Sequence, residues 1–285
     1  MSLAPADELH VAGRRIRCRV TGDGPPVLLL HGIGRTMDDF AEQHDALARD
    51  HRVVSLDLPG HGGSTPLDAP HTLPALAGAA VEVLDAAGVT RPAHLVGNSL
   101  GGAVAMRLAA DHPDRARSLV LVNSAGFGRE VTFALRLLAL RPLARLLLRP
   151  HPGIARRSER AIFHDPAYVS EARVAAALAV AREPHAARVM LELVGSLGTW
   201  RGVRPQWRQE LVAAVAALGL PTLVVWGDRD RILPVRHLTN AGRYFPQAQT
   251  HLFPDTGHMP QIERAAEFEA LVRQFWSRSG GARPA

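Results

Sequence analysis

The 285-residue sequence contains no lysine, and Cys18 is its only cysteine. One cysteine cannot form an intramolecular disulfide, so nothing in the composition indicates an oxidising compartment. The first ten residues include Asp7 and Glu8 and lack the apolar run of a signal peptide. Elsewhere, no uninterrupted apolar run reaches the roughly 18 residues that a membrane-spanning helix needs. We therefore expect a soluble cytoplasmic protein without a transmembrane segment.

Aromatic residues are also few, at 5%, but the hydrophobic content of 47% and the charged content of 21% are those of a globular chain. This balance excludes disordered, collagen-like and coiled-coil classes. The length fits one large α/β domain or two domains of roughly 150 residues each, and it is sufficient to bury a substantial core.

The positive charge is concentrated in one stretch. All 33 basic residues are arginine, and 27 acidic residues leave a formal net charge of +6. A GC-rich coding bias accounts for the choice of arginine, but residues 129–160 alone hold eight arginines and two glutamates. Arg141, Arg145 and Arg149 are four residues apart, which predicts one basic face on a leucine-rich helix beginning near Pro142. Such a helix either packs its leucines on the core or attracts an anionic substrate or membrane surface.

Short apolar runs alternate with helix-length stretches along most of the chain. The runs predict buried strands at residues 27–30, 53–56, 94–96, 119–122, 223–226 and 249–253, after an opening hairpin at 8–20 that turns at Ala12 and Gly13. The stretches between them predict helices at residues 38–49, 73–87, 100–111, 235–243 and 261–278. Strands alternating with helices imply an α/β fold with a mostly parallel, doubly wound sheet.

The alternation stops between residues 125 and 205, where helical periodicity and several prolines replace it and no strand is predicted. We interpret residues 126–204 as a helical lid inserted into a single core formed by residues 1–125 and 205–285. In an open parallel sheet, ligands bind beyond the carboxyl ends of the strands. An insertion that follows a strand end would therefore cover the site.

A Gly-Asn-Ser-Leu-Gly segment at residues 97–101 lies between the predicted strand 94–96 and the predicted helix 100–111. A sharp turn of this kind exposes the serine hydroxyl above the sheet, and the small residues beside it let strand and helix approach each other closely. The helix N-terminus adds free N–H groups and a positive dipole. This context predicts that Ser99 is a nucleophile.

A serine nucleophile needs a general base, which in turn needs an orienting carboxylate. The predicted strand 223–226 leads into a loop that contains Asp228 and Asp230, and the last predicted strand leads into Asp255 and His258. Both loops are expected at the same sheet edge as Ser99. His258 is the predicted base and Asp230 the predicted acid, with Asp228, and then Asp255, as competitors whose other role would be loop capping or a surface ion pair.

The oxyanion of an acyl-transfer reaction needs two backbone donors. We predict the N–H of Leu100, directly after the nucleophile, and the N–H of Ile33, in the glycine-containing loop after the strand 27–30. Glycines there let the backbone come close to the substrate. His31, in the same loop, is interpreted as a buried structural histidine rather than a catalytic one.

Taken together, these motifs resemble the α/β-hydrolase superfamily, and specifically its members with a helical cap. The resemblance rests on His31-Gly32, on the Asp-x-x-Gly-x-Gly-x-Ser segment at residues 57–64, on the serine turn, on the strand leading to Asp230, and on Gly-His-x-Pro at residues 257–260. The resemblance implies a Ser-His-Asp hydrolase. Serine at position 99 differs from the aspartate of relatives that open epoxides or displace halide.

The serine turn also resembles that of meta-cleavage C–C bond hydrolases, which carry an aromatic residue directly after the catalytic histidine. Here Met259 follows His258, which favours an ester over a C–C bond as substrate, although the arginines of the lid could bind a dienoate carboxylate. The predicted function is hydrolysis of a carboxylic ester of a small or medium-sized substrate. C–C bond hydrolysis, or ligand binding without catalysis on the same fold, is the alternative.

Other partners and cofactors find little support in the sequence. No His-Glu-x-x-His, paired cysteines or His–carboxylate cluster indicates a metal, and no Gly-x-Gly-x-x-Gly or Walker A pattern indicates a nucleotide. The basic charge is not accompanied by a nucleic-acid-binding module. We expect no cofactor, no nucleic acid, and a small-molecule ester as the partner; the sequence leaves the oligomeric state open.

Overall fold

The computed structural model describes residues 6–279. The strands in this range are β1 Asp7–Val11, β2 Arg14–Thr21, β3 Pro26–Leu30, β4 Arg52–Leu56, β5 Ala93–Asn98, β6 Ala116–Val122, β7 Gly198–Thr199, β8 Gly202–Val203, β9 Thr222–Gly227 and β10 Gln249–Phe253. Eight of them form one sheet in the order β1-β2-β4-β3-β5-β6-β9-β10. The pairs from β4 to β10 are parallel, and only the β1–β2 and β2–β4 pairs are antiparallel. The predicted α/β fold with a mostly parallel sheet is confirmed.

Helices cover both faces of this sheet. Their bounds are α1 Ala41–Leu47, α2 Leu73–Ala86, α3 Leu100–Asp111, α4 Phe133–Leu137, α5 Arg141–Leu147, α6 Pro152–Ile162, α7 Glu171–Arg182, α8 Ala186–Leu197, α9 Pro205–Ala217, α10 Arg236–Tyr244, α11 Pro260–Glu263 and α12 Ala265–Ser279. None of the helices within residues 6–279 is long and apolar enough to cross a membrane.

The core lies on both sides of the sheet because side chains of a strand alternate between its faces. In β3, Leu28 and Leu30 belong to the apolar cluster under α2, α3 and α9, while Val27 and Leu29 belong to the cluster under α1 and α12. All five residues of β3 are buried. A strand buried on both faces has a continuous apolar run, which is why these strands could be predicted from short runs.

The opening hairpin forms as predicted. Val11 pairs with Arg14, so Ala12 and Gly13 are the two turn residues, with φ of 48° and 76°. Positive φ at both central positions is the twist-matched geometry of a two-residue hairpin, and glycine supplies it without strain.

Two predicted helices are interrupted in the structure. The predicted helix 38–49 is a 3₁₀ turn, Met37–Phe40, followed by α1. The predicted helix 261–278 breaks at Arg264, which has φ −133° and whose guanidinium donates to the Thr256 hydroxyl and the Pro254 carbonyl. The break turns Glu263 toward the loop before α11, and α12 then continues along the sheet.

Residues 126–204 contain helices α4 to α8, and also the two-residue strands β7 and β8, which the sequence did not predict. In these strands Gly198 pairs with Val203 and Thr199 pairs with Gly202, which has φ 112°. Two-residue strands have no periodicity to detect. The assignment of this segment as a lid remains a prediction.

The predicted basic helix is shorter than expected. It is α5, which ends at Leu147, because Leu148 and Arg149 precede Pro150 and a residue before proline is disfavoured in helical conformation. Arg149 therefore lies outside the helix, and the side chains of Arg141 and Arg145 lie outside the described part of the structure. Leu146 is 56% exposed, so not all the leucines of this helix face the core, as the first of the two alternatives required.

Buried histidines make the fold sensitive to acid. His44 on α1 is fully buried, with its ring nitrogens bonded to the hydroxyls of Thr21 and Ser55 at 2.7 and 2.6 Å. Burial, with a smaller effect of the Arg19 charge, lowers the pKa of His44 to about 4. Below pH ~6.5 the unfolded chain takes up a proton at this position and the folded chain does not, so stability falls as pH decreases toward 4.

As the pH falls from about 6.5 toward 4, His44 alone should lower the unfolding free energy of the wild-type protein by about 1.4 kcal/mol per pH unit. His44→Gln, which cannot take up the proton, should have a correspondingly shallower dependence between pH 6 and 4.5. Urea unfolding at several pH values measures both slopes. Equal slopes for the two proteins would contradict the assignment.

Candidate active site

Three loops at the carboxyl edge of the sheet bring the predicted catalytic residues to one region. Ser99 follows β5, Asp230 follows β9, and His258 follows β10. Asn98 joins two of these loops, because its side-chain amide donates to the His258 carbonyl at 3.0 Å. The loop after β3 is adjacent, since a Cβ on Gly32 would lie 3.3 Å from Cβ of Ser99.

Ser99 lies in a strained turn between β5 and α3. Its φ of 55° and ψ of −114° are conformations that residues other than glycine rarely adopt. The turn is fixed by hydrogen bonds from the Ser99 N–H to the Val122 carbonyl and from the Ala125 N–H to the Ser99 carbonyl, both 3.0 Å. Such strain persists only where the surroundings hold it, and it is typical of functional sites.

Close backbone packing explains the glycines on either side of the serine. A Cβ on Gly97 would lie 2.3 Å from the backbone of Gly101, and a Cβ on Gly101 would lie 2.1 Å from the Leu30 carbonyl oxygen. Only glycine fits at both positions. The Gly-x-Ser-x-Gly pattern is therefore the sequence consequence of bringing β3, β5 and α3 into contact under Ser99.

Asp230 and His258 form a buried hydrogen-bonded pair. Oδ2 of Asp230 lies 2.8 Å from Nδ1 of His258, and neither carboxylate oxygen is exposed. Oδ1 accepts the N–H groups of Ile232 and Leu233 at 2.7 and 3.0 Å, which fixes the carboxylate in its loop. With Nδ1 held by the carboxylate, Nε2 is the nitrogen left to exchange a proton with a reacting group.

The competing acids have other contacts. Asp228 accepts the Thr256 N–H at 3.2 Å and contacts Arg229, while Asp255 has φ 46° and pairs with the same arginine. Neither is hydrogen-bonded to His258 within the described residues. Their geometry is that of loop capping and a surface ion pair, and it favours Asp230 as the partner of His258.

Ser99 and His258 are not hydrogen-bonded to each other in the part of the chain that the structure describes. Catalytic hydrogen bonds are often longer in free enzymes than in complexes with substrate. The separation of the loops is set by other contacts: the His258 N–H donates to the Ile162 carbonyl at 2.7 Å, and the Gly257 N–H donates to Glu263 at 2.7 Å.

Three side chains that support the site were not singled out from the sequence. Asn98 donates to His258, and Asn123, with φ 43°, donates to Oδ2 of Asp230 at 2.6 Å. Glu263 accepts the N–H groups of Gly257 and His164 at 2.7 and 2.8 Å, which ties the histidine loop to residues 126–204. Asn98 lies in the recognised serine turn, but the other two carry no local sequence signal.

The two predicted oxyanion donors have free N–H groups. Among residues 6–279, the amides of Ile33 and Leu100 donate to no acceptor, and Leu100 is the first residue of α3. Free amides at a helix N-terminus favour negative charge through both hydrogen bonding and the helix dipole. Leu100, at the start of α3, can therefore stabilise an anion beside Ser99, and the role of Ile33 stays a prediction.

His31 is a structural residue of the adjacent loop. Its Nε2 accepts the Leu58 N–H at 2.9 Å, which leaves the proton on Nδ1 to bond the Gly32 carbonyl at 2.7 Å. Burial lowers the pKa of His31 to about 4, so the ring is neutral near pH 7. His31 is fully buried and bonded within its loop, which agrees with its interpretation as a structural histidine.

Asp57 organises the loop formed by residues 57–64. Its carboxylate accepts the N–H groups of Met37 and Gly63 at 2.8 and 2.9 Å and pairs with Arg17. A Cβ on Gly62, with φ 50°, would lie 2.1 Å from this carboxylate. The Asp-x-x-Gly-x-Gly-x-Ser pattern therefore supports the loop around the site and supplies no reacting group that the geometry identifies.

Residues 126–204 contact all the loops that surround Ser99. The Thr132 N–H donates to the Ile232 carbonyl at 2.8 Å, beside Asp230, and Ile162 accepts the His258 N–H. On the other side, Glu159 of α6 forms a buried ion pair with Arg35, which also binds Asp39 at 2.7 Å. A cleft of about 550 Å³ remains between the loop after β3 and α7.

Comparison with known proteins places the chain in a family. A family model described as the alpha/beta hydrolase fold matches residues 25–265. The dihydrolipoyllysine-residue acetyltransferase component of the acetoin cleaving system of Cupriavidus necator is 35% identical over 93% of this chain and 67% of that protein. A 2-hydroxymuconate semialdehyde hydrolase of a Pseudomonas species is 32% identical over 96% of this chain and 95% of its own.

Among solved structures, a membrane phospholipase A described as a bacterial virulence factor superposes with a TM-score of 0.78 at 27% identity. The match covers 98% of this chain and 87% of the other. The family-model match and the curated relatives, with the parallel sheet and the turn at Ser99, agree with the resemblance found in the sequence. The chain is a member of the α/β-hydrolase fold family.

Proposed function

We propose that the protein is a serine hydrolase that cleaves a carboxylic ester through an acyl-enzyme. The observation that carries the proposal is the buried Asp230–His258 hydrogen bond of 2.8 Å at the sheet edge where Ser99 is held in a strained turn. A carboxylate that fixes the tautomer of a histidine at the same sheet edge as a serine is the arrangement that activates serine for acyl transfer.

The proposed reaction has two halves. The Ser99 hydroxyl adds to the ester carbonyl while Nε2 of His258 accepts its proton, and the Ile33 and Leu100 N–H groups bind the resulting oxyanion. Collapse expels the alcohol, which takes the proton from His258, and leaves an acyl group on Ser99. A water molecule, deprotonated by His258, then adds to the acyl-enzyme, and the carboxylic acid leaves as Ser99 recovers its proton.

We propose further that residues 126–204 form a lid over this site. Their contacts with the loops of Ile33, Asp230 and His258 support that role, since a cap attached at these points lies where substrate must enter. A lid of this kind excludes water from the reacting groups and shapes the substrate pocket. A cytoplasmic location and a small-molecule substrate remain part of the same proposal.

C–C bond hydrolysis is the second candidate function. The relative named 2-hydroxymuconate semialdehyde hydrolase, at 32% identity over nearly the whole of both chains, favours it. Met259 after His258 favours the ester, since the C–C bond hydrolases that the serine turn resembles carry an aromatic residue there. The relative named phospholipase A also supports an ester bond.

Turnover measurements distinguish these candidates. We expect p-nitrophenyl acetate and butyrate to be hydrolysed with a burst of p-nitrophenol equal to the enzyme concentration, and 2-hydroxymuconate semialdehyde to be a poorer substrate by kcat/KM. The reverse order would establish C–C hydrolysis. Labelling of Ser99 by a fluorophosphonate without turnover of either substrate class would favour a ligand-binding protein.

A further inference from the structure

Large apolar side chains that face solvent are concentrated in residues 126–204. Eight such side chains are found within residues 6–279, and five of them belong to this segment: Phe133, Leu140, Leu146, Ile154 and Trp200. The two aromatic rings are exposed by 65% and 54%. Isolated exposed apolar side chains are ordinary, but a concentration in one segment indicates an interaction surface.

Two arginines join the two aromatic residues into one surface. Nε of Arg136 donates to the Trp200 carbonyl at 2.8 Å, and its guanidinium lies 5.9 Å from the Phe133 ring centroid. The guanidinium of Arg201 lies 5.0 Å from the Trp200 ring centroid. We call Phe133, Arg136, Trp200 and Arg201 the aromatic–arginine patch.

Charge identifies the kind of partner that this patch fits. Residues 126–204 contain 13 arginines and six acidic residues, whereas the rest of the chain is almost balanced. In a symmetric dimer through the patch, each copy would place the same basic surface against its partner. An anionic surface avoids this repulsion and accommodates both the exposed rings and the guanidinium groups.

We propose that the aromatic–arginine patch docks the protein on an anionic lipid bilayer. Tryptophan partitions to the membrane–water interface, phenylalanine adds apolar area that inserts beside it, and neighbouring arginines are attracted to anionic headgroups. The patch adjoins the proposed active site, because Thr132, next to Phe133, bonds to Ile232 near Asp230. Docking there would bring the lid to a membrane-dissolved ester, but the binding itself does not depend on the proposed reaction.

Vesicle co-sedimentation of the full chain tests the proposal. We expect binding to phosphatidylcholine vesicles that contain phosphatidylglycerol, weaker binding at high salt, and little binding to phosphatidylcholine alone. Phe133→Ala/Trp200→Ala should weaken binding about tenfold or more. Arg136→Gln/Arg201→Gln should weaken it about fivefold for each arginine replaced.

A matched control removes exposed apolar area from the core domain. Tyr244 and Leu252 are 38% and 46% exposed, and Tyr244→Ala/Leu252→Ala should leave vesicle binding unchanged. Far-UV circular dichroism and thermal unfolding should be unaffected by the patch variants, which shows that they fold, and so should hydrolysis of a water-soluble ester. If no ester is hydrolysed, the proposed function fails while the binding measurement remains interpretable.

Tryptophan fluorescence reports on the patch directly. Trp226 is fully buried, Trp276 is 6% exposed and Trp207 is half-buried, so Trp200 is the most exposed of the four tryptophans. Vesicle binding should shift the emission to shorter wavelength, and Trp200→Phe should remove most of that shift while retaining binding.

Three results would overturn the proposal. The first is binding that does not depend on phosphatidylglycerol or on the patch residues, and the second is the absence of binding at low salt. The third is a dimer, in sedimentation velocity without vesicles, that Phe133→Ala/Trp200→Ala dissociates, since the patch would then be an interface between two copies of this chain.

Discussion

Ser99→Ala is expected to lower kcat for ester hydrolysis about a millionfold, the size of loss that follows removal of the serine from a Ser-His-Asp triad. The variant keeps the Asp230–His258 pair and the free N–H groups of Ile33 and Leu100 but has no hydroxyl to form the acyl-enzyme. Steady-state kinetics with p-nitrophenyl butyrate measure the loss. A fluorophosphonate should label the wild type in a one-to-one ratio and leave the variant unlabelled.

A neighbouring serine supplies the control. Ser124 is fully buried beside the turn, and its hydroxyl bonds to the Ala125 carbonyl at 2.9 Å rather than pointing to substrate. Ser124→Ala should retain activity within about tenfold and should still be labelled. A Ser99→Ala protein that remains active, or a Ser124→Ala protein that loses labelling, would contradict the assignment of the nucleophile.

The stabilities of two inactive variants test the backbone strain at Ser99 independently of its role in catalysis. Alanine retains the strain at φ 55°, whereas glycine relieves it. Such strain costs roughly 1–3 kcal/mol, and the greater conformational entropy of glycine in the unfolded chain offsets about 0.5–1 kcal/mol of its relief. Ser99→Gly should therefore be more stable than Ser99→Ala by about 1–2 kcal/mol although both are inactive. Thermal unfolding measures the difference. Equal stability of the two variants would show that the turn is not strained.

The parts of the fold that could be predicted from the sequence have local causes. The strand 27–30 was found because a strand between two layers of helices must be apolar on both faces. The helix 100–111 was found in full because a glycine-rich turn marks its start and a His-Pro pair follows it. The serine turn could be recognised because its glycines are required: a Cβ at either position would lie only 2.1 to 2.3 Å from a backbone atom.

The parts that could not be predicted depend on residues distant in the sequence. Asn123 supports Asp230 from 107 positions away, and Glu159 pairs with Arg35 from 124 positions away. Neither residue lies in a pattern that indicates its partner. The interruption at Arg264 has the same origin, since contacts with Pro254 and Thr256 override a continuous helical periodicity.

The choice among the three candidate acids depends on a local sequence signal and on a contact between residues distant in the sequence. The order of the motifs along the chain placed the acid in the loop after the strand 223–226. That loop contains both Asp228 and Asp230, only two positions apart. The sequence favoured Asp230 over Asp228, and the side-chain directions support that choice, since Asp230 bonds to His258 and Asp228 bonds to Thr256. Replacing each of these two carboxylates by an amide tests the choice directly.

Asp230→Asn should lower kcat by about ten-thousandfold, because it reverses the histidine tautomer rather than merely removing a charge. Oδ1 of Asp230 must remain an acceptor for the Ile232 and Leu233 N–H groups. The amide NH₂ of asparagine would therefore occupy the position of Oδ2 and face Nδ1 of His258. Nδ1 would then have to accept a hydrogen bond, so the single ring proton would lie on Nε2. A protonated Nε2 cannot take a proton from Ser99.

The same substitution at Asp228 provides the comparison. Asp228 accepts one N–H at 3.2 Å and contacts Arg229 on the surface, so Asp228→Asn should change kcat by no more than about fivefold. Initial rates on one p-nitrophenyl ester, with fluorophosphonate labelling rates for each protein, measure both variants. If Asp228→Asn shows the large loss and Asp230→Asn the small one, His258 takes its partner from the other carboxylate when substrate binds.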